Sequence, residues 1–227
     1  MKHNINFDLE FLKNPYKGKY ICLEGIDGSG KSTQVKRLSE YFESKGKKVV
    51  HTREPRKTGI IGELVHKVLL GTIKMDSKAI QYLFLADRVL NQEDVIAPAL
   101  KRGDIVISDR SFWSAIVYGI LDRNLEYNKK TTNQLLVAYS ILSAYHQFFT
   151  PDYNFFLDIS LNTSMKRLKA KEDKKEIYEE KSKIKKVIEG YNWVIKEFRD
   201  EFIIIDGEKS ESEVTEEIIA KIINHKS

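Results

Sequence analysis

The sequence predicts an α/β domain with a five-stranded parallel sheet and helices on both faces. Two observations carry that prediction. Short runs, apolar on both faces and rich in β-branched or aromatic residues, alternate with longer stretches of helical spacing, which is how buried parallel strands and their crossover helices read. Residues 25–32 read Gly-Ile-Asp-Gly-Ser-Gly-Lys-Ser, a glycine-rich phosphate-binding loop that requires a strand before it and a helix after it. The 227 residues are ample for one such domain and short for two. A single domain over 1–227 is expected, with 1–18 an N-terminal extension.

The elements follow in order. Lys19–Glu24 is apolar and β-prone and leads into the loop. After it, Val35, Leu38, Tyr41 and Phe42 fall at helical spacing, and Gly46 stops the helix. A second strand covers 48–52. A long helical stretch ends at Lys101-Arg102-Gly103, and a third strand covers 105–108. Pro151 precedes a fourth strand, Tyr153–Asp158, and 202–206 is the fifth. The last helix opens on a capping box of Ser210 and Glu213 and carries one apolar stripe of Val214, Ile218, Ile219, Ile222 and Ile223. The N-terminal 1–19 segment is mixed and polar, read as a loose tail or an extra turn packed on the domain.

Composition narrows the function classes. Hydrophobic residues make up 41% and charged residues 31%, as in a soluble globular protein. One cysteine, Cys22, forbids an internal disulfide and points to a reducing, cytoplasmic setting. Cys22 itself lies in a strand and reads as a core residue. No apolar run approaches the roughly 18 residues a bilayer span needs, and 1–19 lacks a secretory apolar core, so no membrane partner is expected. Net charge is +5, but the basic residues form no single stripe. The densest patch, 166–186, mixes ten Lys/Arg with five Asp/Glu, and no zinc-finger or RRM signature occurs. A phosphate-rich small molecule is a better partner than a polynucleotide.

The loop has a defined chemistry, that of the P-loop NTPases. Gly25, Ile26, Asp27, Gly28, Ser29, Gly30, Lys31, Ser32 and Thr33 can wrap backbone N–H groups around phosphate oxygens at a helix N-terminus. Lys31 reaches the β- and γ-phosphates, and the Ser32 hydroxyl can ligate Mg²⁺. Ligands of open α/β sheets gather at the carboxyl ends of strands. There stand Asp27, then Arg53 with Glu54-Pro55-Arg56-Lys57, then Asp109-Arg110-Ser111, then Asp158. Pro55 restricts Glu54 to an extended shape, and Arg53 offers a planar fork for a phosphate. Arg56 and Lys57 are each read as a phosphate contact or a solvated side chain. Phe84 and Arg88 share one helical face, and a buried arginine there needs a planar acceptor. Asp109 ends a strand, where an acid would hold Mg²⁺ through water. Each residue has a plainer reading: Asp27 as a turn aspartate, Phe84 and Tyr118 as packing, Asp109-Arg110 as a strand-end ion pair, the lysines as a solvated face.

Four stretches together, 24–34, Thr52-Arg53-Glu54-Pro55, Leu83-Phe84-Leu85-Ala86-Asp87-Arg88, and Asp109-Arg110 followed by Ser114 and Tyr118, resemble the thymidylate kinases, P-loop nucleoside monophosphate kinases. The resemblance runs from Tyr20 onward. It implies transfer of the ATP γ-phosphate to dTMP with Mg²⁺, held by Ser32 and Asp109, in a homodimer. It implies Lys31, Asp27, Asp109 and Arg110 as catalytic residues. It gives Asp27 the deoxyribose 3′-hydroxyl, Phe84 a stack on thymine, Arg88 the base edge, Arg53 and Arg110 the monophosphate, and Tyr118 the 2′ side of the sugar, with Pro55, Lys57 and Ser114 beside them. It implies a mobile lid at about 166–181, with Arg167, Lys171, Lys174 and Lys175 as its cations. The chain departs from the family in Arg56-Lys57, where two glycines are usual, in Ser111, where an aromatic is common, and in a lid that is lysine-rich and ends Glu176-Ile177-Tyr178-Glu179. Lysine lacks the bidentate fork. A kinase for another nucleotide or a deoxynucleoside, and a weakly active paralogue that only binds nucleotide, are the alternatives. A regulatory GTPase would need N-K-x-D, which is absent from the sequence.

Overall fold

The computed structural model describes residues 10–123, 132–170 and 177–224. Its strands are β1 (Leu12–Lys13), β2 (Lys19–Glu24), β3 (Val49–Arg53), β4 (Ile105–Asp109), β5 (Phe149–Thr150), β6 (Tyr153–Asp158) and β7 (Ile203–Asp206). Its helices are α1 (Lys31–Ser44), α2 (Gly59–Leu69), α3 (Ser77–Asn91), α4 (Ala97–Arg102), α5 (Phe112–Asp122), α6 (Thr132–Tyr145), α7 (Leu161–Lys169), α8 (Lys181–Glu197) and α9 (Glu211–Asn224). Five strands make the main sheet in the order β3–β4–β2–β6–β7, every neighbour parallel. The expected sheet is therefore present, and β2, which feeds the P-loop, is its central strand.

Alternation along the strands divides the core. Ile21, Leu23, Ile105, Ile107, Phe155, Leu157 and Ile205 pack with Val35 and Leu38 of α1 and Val214 and Ile218 of α9. On the other face α5 is buried from Phe112 through Leu121, packed against α3, α6 and α8. A helix that is apolar all round belongs in such an interior position, and this one carries Ser114 and Tyr118. Cys22 is fully buried, and burial pushes its thiol well above the usual cysteine range, so it packs as a core residue.

Some boundaries move. β3 runs over 49–53 rather than 48–52, and β4 extends to Asp109, because the ladder pairs Leu23 and Arg53 with Asp109; backbone hydrogen bonding ignores the change to charged side chains. β7 begins at Ile203, one residue late, with Phe202 buried behind it. The long helical stretch before β4 is divided into α2, α3, a π-helical turn at Gln92–Ile96 and α4. Pro98 sits in the first turn of α4, where its missing N–H is tolerated. Of the extension, residues 10–18 are docked rather than loose. β1 pairs with β5, Phe11 stacks on Phe112 with centroids 5.7 Å apart, and Asn14 Nδ2 donates to Asp152 at 2.8 Å; 1–9 lie outside the described residues. The capping box is formed, with Ser210 N donating to Glu213 Oε2 at 3.0 Å and Glu213 N to Ser210 Oγ at 3.4 Å.

Leu38 is fully buried on α1 directly behind the P-loop. Leu38→Ala is expected to lower unfolding stability by about 2–5 kcal/mol, seen as a lower urea midpoint with an unchanged m-value.

Candidate functional site

At the carboxyl end of the sheet lies a cleft of about 930 Å³. Of the described residues singled out from the sequence, all but Gly25, Ile26, Arg56, Ser111 and Asp158 line it; Arg53, Phe84, Arg88, Arg110, Tyr118 and Arg167 all face the same space as the P-loop. Gly25 and Ile26 lie beneath, and their carbonyls accept hydrogen bonds from Lys31 Nζ at 3.1 and 3.0 Å. Lys171, Lys174 and Lys175 lie outside the described residues. Residues 166–169, at the start of the expected lid, form the last turn of α7.

The P-loop is built to receive an anion. Gly28 holds φ +80°, and a Cβ there would meet the Ser164 backbone oxygen at 3.0 Å; only glycine allows the loop to pass α7 so closely. Ser164 Oγ in turn donates to Asp27 O at 2.7 Å. Gly30 caps α1 without any side-chain hydrogen bond, so the first N–H groups of the helix point outward unpaired by a cap. Burial and, secondarily, the nearby Arg110 charge lower the Lys31 ammonium to about 8. An arriving anion would favour the charged ammonium and so oppose this shift.

Mg²⁺ fits the edge of this loop. Ser32 Oγ donates to Asp109 Oδ2 at 2.8 Å, and Asp109 Oδ1 is buried without a hydrogen-bond partner. A hydroxyl and a carboxylate are hard oxygen donors of the kind that hold Mg²⁺ together with substrate phosphates. Among the described residues no cluster of three His, Cys, Asp or Glu side chains could hold a metal alone.

Arg110 has φ +78°, a left-handed conformation that is uncommon for a residue with a Cβ. Its surroundings hold it there: its N–H donates to Leu23 O at 2.9 Å, and its carbonyl accepts from Ser108 Oγ at 2.7 Å. The turn aims the guanidinium back at the P-loop, where Nη2 meets Asp27 Oδ1 at 2.6 Å and Nη1 meets Gly25 O at 3.0 Å. Its charge lies 5.4 Å from the Tyr118 ring centre. Beneath it is Glu24, fully buried. Glu24 accepts from Ser111 N and Oγ at 2.8 and 2.9 Å, Ser114 Oγ at 2.7 Å and Tyr191 OH at 2.8 Å. Tyr191 OH also accepts from Arg110 Nη1 at 2.8 Å.

Arg88 is buried and has found its planar acceptor in the protein. Nε pairs with Glu54, Nη1 donates to Tyr145 OH at 2.6 Å and Nη2 to Ser111 O at 3.2 Å. Burial raises the Glu54 carboxyl, and Arg88 and Asn91 pull it back. Arg56 is neither solvated nor on the cleft, as the two sequence readings had it. Its Nε donates to Asp87 Oδ1 at 2.9 Å and its backbone N to Oδ2 at 2.7 Å. Lys57 is exposed and does line the cleft. Arg53 Nε is buried without a partner, as an anion-binding side chain would be. Tyr118 packs against Tyr178 with ring centres 4.8 Å apart, and Tyr178 OH donates to Asp122 at 2.7 Å. Arg167 Nη1 lies 3.4 Å from Gly28 O, and Nη2 donates to Gly207 O at 3.0 Å, placing a cation over the P-loop.

Sequence reasoning assigned no role to Glu24, Tyr145, Tyr178 or Tyr191. Glu24 carried a signal, an acid closing an otherwise apolar strand. Tyr191 carried none, since it comes from α8, far along the chain.

A family model described as thymidylate kinase matches residues 23–218. A thymidylate kinase of Thermosipho africanus is 39% identical over 207 residues, 91% of this chain and 98% of that protein. A probable thymidylate kinase of Pyrococcus abyssi is 32% identical, covering 91% and 96%. The solved structure of thymidylate kinase from Candida albicans superposes with a TM-score of 0.76 at 25% identity, over 94% of this chain and 96% of that one.

The Tyr191 hydroxyl bridges Glu24 and Arg110. Tyr191→Phe is expected to lower unfolding stability by about 1–3 kcal/mol, the usual consequence of leaving buried polar groups short of a partner, measured by chemical denaturation.

Proposed function

The chain belongs to the thymidylate kinase family, which converts dTMP to dTDP with a nucleotide donor, and on that premise we propose how its own residues perform the reaction. ATP is the donor, its phosphates wrapped by the P-loop N–H groups and Lys31. Ser32 and Asp109 would hold Mg²⁺, which when bound would supply neutralisation of the phosphate charge. Arg167 adds a cation on the donor side of the cleft. The acceptor dTMP lies opposite. Phe84 stacks on the base and Arg88 lies at its edge, while Pro55, Ser114 and Tyr118 enclose the sugar and Asp27 takes the 3′-hydroxyl. Arg53, Arg110 and Lys57 meet the monophosphate.

Phosphoryl transfer asks little covalent work of a protein; it needs alignment of the two phosphates and neutralisation of their charge. The observation that carries this reading is the convergence of the P-loop lysine and the set Arg53, Phe84, Arg88 and Arg110 on one cleft. The buried, unpartnered Arg53 Nε and Asp109 Oδ1 support an anion at the first and a cation at the second. We further propose a homodimer, supported by the exposed apolar side chains Tyr82 and Leu90 on α3 and Leu136 and Tyr139 on α6, and a cytoplasmic setting, supported by a single cysteine that is a buried thiol.

The test is ADP release measured across dTMP, dUMP, dCMP, dGMP and UMP. Preference for dTMP supports the reading; equal turnover of the other nucleotides would make the chain a broader kinase, and ATP binding without turnover a nucleotide-binding paralogue. Lys31→Ala is expected to lower kcat by roughly 10²–10³, in a variant whose melting curve shows it folded. Phe84→Ala is expected to weaken dTMP by about 1–3 kcal/mol, the scale of base–aromatic stacking, with ATP nearly unaffected. An equal loss for both substrates would make Phe84 a core residue.

A further inference from the structure

The stretch from the end of β3 into the next loop is fastened to α3 at every second residue. Thr52 Oγ1 donates to Asn91 Oδ1 at 2.7 Å. Glu54 pairs with Arg88 and accepts from Asn91 Nδ2 at 3.1 Å. Arg56 gives its backbone N and its Nε to the two oxygens of Asp87. Within β3, Thr52 turns to the helix and its neighbour Arg53 turns the other way; beyond the strand the Glu54–Pro55 peptide is cis, and each later residue is placed by its own contacts. Arg53, Pro55 and Lys57 line the cleft, as does Glu54, whereas Thr52 and Arg56 do not. The charges also cross: the loop offers Glu54 then Arg56, and the helix answers with Arg88 and Asp87.

We propose that Arg56 is a positioning residue for the acceptor nucleotide: through Asp87 it holds the 53–57 segment against α3 so that Arg53, Pro55 and Lys57 face the cleft. The inference rests on the acceptor reading given above. Three features of the pair support it. The Asp87 side chain is 1% exposed and that of Arg56 15%, so the pair is shielded from screening. Both carboxylate oxygens are used on residue 56, one on its backbone, which fixes the chain as well as the side chain. And Gly62 of α2 has no room for a side chain, because a Cβ would stand 2.6 Å from Arg56 O; α2 therefore packs directly on the backbone of the segment. Pro55 sits between the two ion pairs and has no freedom about φ. Fixing both flanks leaves the cleft-facing residues one arrangement, the preorganisation that lowers the entropic cost of binding.

The experiment compares R56A, R56K, D87N and R53A in the full chain, with KM for dTMP, KM for ATP, kcat and a melting curve for each. R56A is expected to raise KM for dTMP about tenfold, the scale of one charge-assisted hydrogen bond, with KM for ATP within about twofold. R56K keeps the charge but not the planar fork and is expected to fall between R56A and the unaltered chain. D87N removes the charge from the other side and is expected to act like R56A, so it carries the test should R56A not fold. If R53A raises KM for dTMP while R56A and D87N do not, the positioning role is overturned and the acceptor site stands. If R53A has no effect either, the acceptor assignment itself fails. A rise in both KM values in step with a lowered melting temperature would make the pair purely structural and would likewise overturn the proposal.

Discussion

A buried carboxylate, Glu24, joins the two halves of the cleft. It ends the central strand and begins the P-loop, and every acceptor oxygen it has is met by elements that face the other way: the Ser111 N–H and hydroxyl, Ser114 and Tyr191. An ionised group without solvent is tolerated only when it is hydrogen-bonded on this scale. Through Tyr191 and Ser114 the same network reaches Arg110, and Arg110 reaches back to Gly25 and Asp27. The circuit closes on the loop where it began. The P-loop's shape and the direction of the Arg110 guanidinium are thus not independent quantities.

Much of this was legible in the sequence, for reasons that can be named. The βα order followed from period and composition, because burial on both faces leaves a continuous apolar run. The P-loop followed from glycines at fixed spacing, since few other backbones can pass a phosphate so closely. Arg53, Phe84, Arg88 and Arg110 were legible as charges or aromatics placed at strand ends or on one helical face. What remained hidden depends on distance in the chain. Tyr191 meets Glu24 across 167 positions, and no local pattern announces such a pair. Arg56 misled the reading because a charge next to a cleft-lining arginine looks like a second phosphate ligand. Its turn toward α3 is set by Asp87, which lies 31 positions along the chain. Arg88 was half-read: the need for a planar acceptor was correct, and the nearest one is Glu54 in the same protein.

Energetically the site is expensive to assemble. Glu24, Glu54, Asp87, Arg88 and Lys31 are all nearly or fully buried, and each would be strongly destabilising alone. They persist as pairs and networks laid over an apolar foundation, with the fully buried Trp113, Ile116 and Ile120 of α5 beneath them. Cooperative loss is the expected consequence, since removal of one partner strands another in the same low-dielectric surroundings. Rigidity of the cleft wall that carries Arg53 and Arg88 follows from the same arrangement.

The strand order has a consequence for how this molecule can change over time. β3 and β4 lie on one side of β2, and β6 and β7 on the other. One wall of the cleft is accordingly drawn from 53–118 and the other from 167–214, with the P-loop between them. The two blocks cannot drift separately, because Tyr191 and Tyr178 of the later one reach Arg110 and Tyr118 of the earlier, and Asp122 just past it. A substitution at either tyrosine reshapes both walls at once, so divergence on one side of the cleft draws the other along.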